Sequence, residues 1–394
     1  MPGTVTPDRG IGGFGYTVHE REAIRMKTVS LFSGCGGSDL GAKQAGAEVV
    51  FAMDISRNAV LTYKAHLELL AAPDCDVRHG NVCSLTSLPS CELLLGCYPC
   101  QSFSMGGHRT PEGDEKALLY QEFARCLELT DARFAVVENV AGLAWLDGGR
   151  FLQSHLAEIG GAGKGYVITH AVLQAENFGV PARRRRLFLV AVRSDQGVYY
   201  HFPQPTHGPK SENQTPWTSH GDAIAHLPAD PQGEYYTRGT ESFSWWYMSR
   251  NRKRPWNEPS YTILGNWRHT PLHPASPTMH MVSSDLKNGW KQTWEFTNEY
   301  DHLDVAERPK FQFPRRLSWR EAACLQTFPD EFEPSGSVAS KFTQIGNAVP
   351  PLLMQAIVSG IVTGRGLLEE LPSGSAGQVW IPEQGANQLS HMRS

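Results

Sequence analysis

The chain of 394 residues is 40% hydrophobic and 19% charged, a balance that excludes a mainly disordered protein, a collagen-like repeat and a coiled coil. This length predicts one large domain and a smaller companion. With no apolar run of about 18 residues and no basic-then-apolar opening, a soluble, cytoplasmic protein without a membrane partner is expected. The net charge of −4 argues on its face against nucleic acid, yet residues 182–320 hold 19 Lys and Arg against 13 Asp and Glu, and eight of the ten tryptophans lie between Trp217 and Trp319. A basic, aromatic-rich section of this kind suits a surface that meets phosphates and stacked bases.

Residues 1–26, rich in glycine and charge without an apolar period, read as a flexible arm. A buried strand at 28–32 then runs into a turn of small residues, Ser33-Gly34-Cys35-Gly36-Gly37-Ser38. A helix is expected to open near Ser38-Asp39, good N-cap types, and to end by Gly46; a second strand at 48–53 carries Asp54 at its carboxyl end. Strand, glycine turn, helix, strand and acid is the order of a nucleotide-type βαβ unit. Further strands at 91–96, 135–138, 165–168 and 186–192, with helical spacing over 118–129, continue the alternation. They predict an α/β fold, a mostly parallel sheet with helices on both faces. The rhythm breaks at 194–314, where an irregular, loop-rich second domain is expected. It returns at Ser318 and Glu321, a capping-box pair. Residues 342–351 read as a turn feeding an apolar helix at 352–362, and 366–394 as a flexible tail.

Gly34-x-Gly36-Gly37 lacks both the dinucleotide spacing and the Lys-Ser/Thr of a phosphate loop. A glycine turn followed by an acid some 17 residues on suits a ribosyl cofactor without a pyrophosphate, and equally a tight turn in any sheet protein. Cys97-Tyr98-Pro99-Cys100 has three readings. A zinc site needs a second ligand pair, and no metal site is expected. A thioredoxin-like pair should open a helix in a small domain. The third reading is a single nucleophile, Cys100, at a strand end, its thiolate favoured by the arginines at 183–186 if the fold brings them near. All but one of the eight cysteines lie between Cys35 and Cys126, too few for a disulfide scaffold, and are expected to be reduced. Arg183-Arg184-Arg185-Arg186 reads by default as a solvated run, but it abuts an apolar strand, so Arg184 and Arg186 should share one face.

Taken in order, these segments resemble the motifs of the DNA (cytosine-5)-methyltransferases of prokaryotes and phages. Phe32-Ser33-Gly34-Cys35-Gly36-Gly37 resembles the cofactor loop, Pro99-Cys100-Gln101 the nucleophile motif and Glu138-Asn139-Val140 the Glu-Asn-Val motif. The stretch from Phe178 to Arg186 resembles the segment written Gln-x-Arg-x-Arg. Arg316-Leu317 through Phe328-Pro329 and Gln344-x-Gly346-Asn347-Ala348-Val349-Pro350 resemble the last two motifs, so the likeness spans about 27 to 365 with a variable gap at 194–314.

The resemblance implies a Rossmann-like S-adenosylmethionine-dependent sheet domain at 27–193 plus 336–365 and a smaller target-recognition domain at 194–335. It implies a catalytic set of Cys100, which adds to carbon 6 of cytosine, Glu138, which serves nitrogen 3, and Arg186, which holds the base's O2. Arg184 would hold the flanking backbone, Asn139 would brace the loop of Cys100, and Gln101 completes the motif. Glu138 would work best with its pKa raised by burial and Cys100 with its pKa lowered by cations. Phe32, Ser33, Gly34, Cys35, Gly36 and Gly37 would meet the methionine end of S-adenosyl-L-methionine, which leaves as S-adenosyl-L-homocysteine. Asp54 would take the ribose hydroxyls and Ile55 the adenine face; Asn81, Val82, Pro99, Leu119, Asn347 and Ala348 would complete the site.

The implied partner is double-stranded DNA, bound by a monomer that flips the target base, with any cognate restriction endonuclease encoded separately. Three positions depart from the pattern: Asn81 where an Asp is usual, Ala182 where Gln opens the arginine motif, and Cys97-Tyr98 where a Gly/Pro pair precedes Pro99. The RNA-acting branch of the family usually carries Cys-Phe-Thr in its second domain, and this chain has no cysteine between Cys126 and Cys324. A non-catalytic DNA-binding relative would not need Cys100, Glu138, Arg184 and Arg186 together.

Overall fold

Apolar runs bounded by glycine turns build the centre of the molecule. In the computed structural model, residues 26–98, 118–209, 214–236, 243–285, 291–301, 309–370 and 377–381 are described. The arm at 1–25, Pro99, Cys100 and Gln101 lie outside them. The strands β1 (Met26–Leu31), β2 (Ala47–Asp54), β3 (Asp76–His79), β4 (Leu93–Gly96), β5 (Phe134–Val140), β6 (Tyr166–Gln174) and β7 (Arg185–Arg193) join a last strand, Gln378–Trp380. The order across this eight-stranded sheet is β3-β2-β1-β4-β5-β7-β6-Gln378–Trp380. From β3 to β5 the pairs are parallel, whereas β7 runs antiparallel to both β5 and β6. The expectation of a mostly parallel sheet thus needs one amendment, and its cause is chain length. The ten residues at 175–184 are too few for a parallel crossover, which takes a dozen or more.

The chain turns back across β1 to reach β4, so the crevice between the carboxyl ends of these two strands is the switch point where such sheets bind ligands. Helices cover both faces, and the strands between them are buried on both sides. On one face α4 (Leu119–Thr130) and α5 (Arg150–Gly161) bury Phe123, Leu127, Leu156 and Ile159. Helices α1 (Gly37–Gln44), α2 (Arg57–Ala65) and the single turn α3 (Leu67–Leu70) follow the first two strands. Later come the short α6 (His220–Ile224), then α7 (Trp319–Leu325), α8 (Val338–Asn347) and α9 (Pro351–Val362). Helix α9 closes the other face of the sheet with Leu353, Ile357, Val358 and Ile361.

Several elements differ from expectation. Helix α1 is capped by Gly36 in the left-handed region (φ 90°), not by Ser38 or Asp39, because a Cβ at Gly36 would lie 2.6 Å from Leu70. Residues 342–347 are the end of α8 and not a turn; the break falls at Ala348 and Pro350, and Pro351 opens α9 at a position where its missing N–H is harmless. The span Val338–Val362 is apolar and long enough by composition to cross a membrane, yet it is broken here and most of it is buried against the core. The tail expected to be flexible is partly built into the fold. Leu367–Leu368 pair with Tyr199–Tyr200, Gln378–Trp380 pair with β6, and Trp380 packs so closely that a Cβ on Gly160 would lie 1.8 Å from it.

The section at 194–335 is irregular, with a hairpin of Met279–Asp285 and Lys291–Phe296, but packing runs across both of its expected ends. Tyr200 donates to the Ile357 carbonyl at 2.7 Å, and α7 with Phe328 and Phe332 shares a core with Val60 and Tyr63 of α2. The Ser318 and Glu321 capping box is formed at the start of α7.

Helix α1 meets α9 backbone to backbone: a Cβ on Gly41 would lie 2.3 Å from the Pro351 carbonyl oxygen and 2.8 Å from Met354 Cβ. Gly41→Ala should therefore lower the unfolding free energy by about 1–3 kcal/mol despite alanine's better helix propensity, and an unchanged denaturation midpoint would contradict this close approach.

Two residues earlier, Asp39 is fully buried and accepts from Ser38 Oγ at 3.0 Å and Tyr63 Oη at 3.1 Å. Burial pushes its carboxyl from 3.8 up to about 6. A pKa raised on folding favours the native state at low pH, and that advantage is lost as pH rises through about 6. Relative to Asp39→Asn, the wild type should gain on the order of 3 kcal/mol as pH falls across this window, which denaturation of both proteins at a series of pH values would test.

Candidate active site

At the end of β1 the chain turns sharply through Phe32 (φ 56°), Gly34 (φ 56°) and Gly36 (φ 90°). Left-handed backbone at Phe32 is costly for a bulky residue and persists because its neighbours fix it. The Ser33 N–H donates to the Met53 carbonyl at 3.0 Å, and the Gly34 N–H to Asp54 Oδ2 at 2.8 Å. The other oxygen of Asp54 accepts from the Ser56 N–H at 2.7 Å. Asp54 therefore clamps the turn, and burial raises its carboxyl above the ordinary value despite these bonds. Beside it Ile55 is 69% exposed, an unusual setting for a large aliphatic side chain, while its carbonyl contacts His79 Nε2 at 3.0 Å.

Asn81 follows β3 in the same crevice. Its Oδ1, at the position where an Asp is usual, accepts from the Cys83 N–H at 3.0 Å and caps the turn Val82–Ser84. One lone pair is thus committed to the protein. Val82 is buried and Leu119, on α4, half-buried. From the far end of the chain the turn between α8 and α9 returns to this place: a Cβ on Gly37 would lie 2.4 Å from the Val349 carbonyl and 3.1 Å from Ala348 Cβ. Asn347 is exposed and borders Gly265. Cys35 turns away from the crevice. Its thiol is buried, donates to the Gln344 carbonyl at 3.5 Å and is pushed up to about 12, so only its backbone is available there.

The second half of the crevice lies at the end of β5. Glu138 and Asn139 stand opposite Phe188 and Leu187 of β7, and Val140 opposite Arg186. Arg186 Nε lies 2.7 Å from Glu138 Oε1, with both side chains largely enclosed. Asn139 donates through Nδ2 to the Tyr98 carbonyl at 3.5 Å and accepts from the Val140 N–H at 2.8 Å. It thus bonds the last described residue before Pro99. Tyr98 is wedged among Phe32, Phe123 and His155, with ring centroids 5.9, 6.0 and 5.8 Å away. Burial lowers His155 to about 4, leaving its ring neutral, stacked on Tyr120. The Cys97 thiol is held well above its ordinary pKa by burial and by the carboxylates of Glu138 and Asp39, which disfavours its thiolate.

The four consecutive arginines divide. Arg184 is 1% exposed and donates to the carbonyls of Ile263 (3.2 Å), Gly346 (2.9 Å) and Ala348 (2.9 Å). Expected to hold the flanking backbone, it directs these bonds to carbonyls of the protein itself. Arg183 and Arg185 rest on the rings of Trp217 and Trp145. The packing roles of Tyr98, His155 and Asp39 escaped sequence reasoning, which met Asp39 only as a capping candidate and Tyr98 only as a departure from a motif, and passed over His155 within a helix.

A cluster of arginines on aromatic rings, part buried and part exposed, lies in the irregular section. Arg252 packs over Trp246 and Tyr247, Arg316 over Tyr247 and Arg268 over Trp267, while Trp245 is 82% exposed. His269 is pushed down by burial and by Arg252, Arg250, Arg316 and Arg268 around it.

The family profile of the C-5 cytosine-specific DNA methylases matches residues 26–363. Among relatives, the chain is 33% identical over 377 residues to the Type II methyltransferase M.BsuRI of Bacillus subtilis, covering 86% of this chain and 79% of the relative. It is 32% identical over 376 residues to M.BspRI of Lysinibacillus sphaericus, covering 86% and 81%. Among solved structures, a protein from an E. coli prophage, described as a DNA modification methyltransferase, superposes with a TM-score of 0.59 at 20% identity, covering 86% of this chain and 99% of that one. A variant of Spodoptera frugiperda DNMT2 gives 0.52 at 17%, covering 86% and 98%. These two likenesses concern the fold. The ordered motifs, the sheet they sit on and the match over nearly the whole described chain agree: this protein belongs to the C-5 cytosine-specific DNA methylases.

Proposed function

We propose that the chain methylates carbon 5 of cytosine in a specific duplex DNA sequence, with S-adenosyl-L-methionine as methyl donor and Cys100 as nucleophile. The observation that carries this reading is the enclosed Arg186 and Glu138 pair, set beside Asn139's bond to the backbone that leads into Pro99-Cys100-Gln101. The crevice suits the cofactor. The Asp54 carboxylate is fixed by two N–H groups yet keeps lone pairs for ribose hydroxyls, Ile55 offers an apolar face to adenine, and the turn from Phe32 to Gly37 brings backbone N–H groups to the methionine end. S-adenosyl-L-methionine, when bound, supplies an electrophilic methyl group and leaves as S-adenosyl-L-homocysteine.

Carbon 5 of cytosine is too weak a nucleophile to take that methyl unaided. The Cys100 thiolate forms a bond to carbon 6, and Glu138 gives a proton or hydrogen bond to nitrogen 3 as negative charge develops on the ring. Arg186 holds Glu138 and reaches the base's O2. After methyl transfer a base removes the carbon 5 proton, the electron pair re-forms the ring double bond, and Cys100 leaves as thiolate. Neither carbon is reachable within a duplex, so the base is flipped, at a cost of about a few kcal/mol that phosphate and groove contacts offset. The arginines and tryptophans around His269 are suited to those contacts and belong, on this reading, to a target-recognition domain drawn from 194–335. Residues 27–193 with 336–365 form the catalytic domain. On this reading the protein acts in the cytoplasm as a monomer and protects DNA from a separately encoded endonuclease; the names of the Type II relatives support the restriction-modification role alone.

Tritiated S-adenosyl-L-methionine offered with duplex DNA or tRNA tests the reaction. Label should enter DNA, and DNA containing 5-fluorocytosine should trap the enzyme covalently through Cys100, an adduct lost in Cys100→Ser and kept in Cys97→Ser. Label in tRNA alone, or a trapped peptide bearing Cys97, would overturn the assignment. Glu138→Gln should lower kcat by roughly 10²–10⁴-fold while binding of S-adenosyl-L-homocysteine stays unchanged; equal activity would remove Glu138 from the mechanism.

A further inference from the structure

The turn that follows Asn81 is too short to hold its own shape. Val82–Ser84 is a single 3-10 turn: Asn81 caps its start, Ser84 Oγ donates to the Asn81 carbonyl at 2.7 Å, and the chain leaves it extended at Leu85. Two carbonyls, one at its first residue Val82 and one at Leu85 just beyond it, are gathered by one residue from another element. Arg125, on α4, donates from Nη1 to the Leu85 carbonyl at 2.6 Å and from Nη2 to the Val82 carbonyl at 3.1 Å. Its Nε donates to Glu122 Oε2 at 2.9 Å, one turn earlier on the same helix, which sets the direction of the guanidinium. Val82 and Leu85 are buried in the same core as Phe123, Ala124 and Leu127 of α4, so the polar clamp stands at the rim of an apolar contact. A planar fork on two carbonyls is a geometry that lysine cannot reproduce.

We infer that Arg125 is a positioning residue for the adenine end of the cofactor, fixing the Asn81 and Val82 edge from behind without touching the ligand. The inference rests on the cofactor reading above. It matters more here because Asn81 has one carbonyl lone pair committed to the Cys83 N–H, so recognition of the adenine amino group depends on the angle at which the turn is held.

The test is calorimetric binding of S-adenosyl-L-homocysteine and of its N6-methyl analogue to the wild type, Arg125→Ala, Arg125→Lys and Glu122→Gln, with steady-state kinetics alongside. Arg125→Ala should weaken S-adenosyl-L-homocysteine roughly tenfold and raise KM for S-adenosyl-L-methionine as much, with kcat within about twofold and KM for DNA unchanged. Its preference for the unmethylated adenine should shrink, with Arg125→Lys and Glu122→Gln intermediate. Wild-type affinity in Arg125→Ala, or a loss that leaves the preference intact, would overturn the inference. If Arg125→Ala does not fold, Arg125→Lys carries the same comparison. A wild type that binds neither ligand would instead overturn the cofactor reading itself.

Discussion

A buried guanidinium that, among the described residues, donates to backbone carbonyls alone sits at the junction of everything that makes the crevice. Arg184 is buried, and its donors go to the carbonyls of Ile263, Gly346 and Ala348. Burying a charge costs several kcal/mol unless dipoles replace water, and here three backbone dipoles do so. The direction of the remaining strain is visible in the pKa, which burial and the neighbouring Arg186 pull well below the ordinary arginine value. In exchange, one side chain ties the entrance of β7 to the irregular section and to the turn between α8 and α9. Cutting it would take the guanidinium's bonds from the Ile263 and Gly346 carbonyls, leave Ala348 only a long bond from Gln326 Nε2 at 3.5 Å, and unlink three segments.

The same electrostatics sorts the sulfur chemistry. Cys35, Cys75, Cys91 and Cys324 are each pushed up to about 12 by burial, and Cys97 lies beside the carboxylates of Glu138 and Asp39, so thiolate is disfavoured at every one of them. A nucleophilic sulfur in this part of the chain must leave the apolar strands and approach cations. Arg186, whose Nε lies 2.7 Å from Glu138 Oε1, is such a cation, on the strand paired with the one that carries Asn139 and its bond to the Tyr98 carbonyl.

Much of this was legible in the sequence because it follows from local rules. The βαβ order around Gly34 and Asp54, the strands ending at Glu138 and beginning at Arg186, and the Ser318 and Glu321 cap are all read from period and capping chemistry. What escaped was set by contacts across long separations. Nothing near Gly36 announces that the chain turns left-handed there (φ 90°), so the cap of α1 was misread by two or three residues. Residues 342–347 look like a turn because Gly346 and Asn347 are poor helix formers, but Gly346 is there for space, since a Cβ would lie 2.2 Å from the Gly265 nitrogen. Likewise the low-complexity tail hides Trp380, whose role is visible only once Gly160 is packed against it. Alternation put Arg184 and Arg186 on one face, yet could not say that Arg184 would be sealed against backbone carbonyls while Arg186 paired with Glu138.

These long-range contacts have a consequence for how the site comes into being. The turn from Phe32 to Gly37 is left-handed at three positions and cannot hold that shape by local preference alone. Asp54 supports it from β2, but Gly37 lies directly beneath the Val349 carbonyl and Gly41 beneath Pro351, about 310 residues further along the chain. The Arg184 bonds to Gly346 and Ala348 hold that returning segment in register with β7. A crevice assembled in this way pays its loop-closure entropy across nearly the whole chain, so it forms late, after the sheet has given α9 a surface to pack on. The first and last motifs are therefore one structural unit, and neither can keep its geometry once the other is removed.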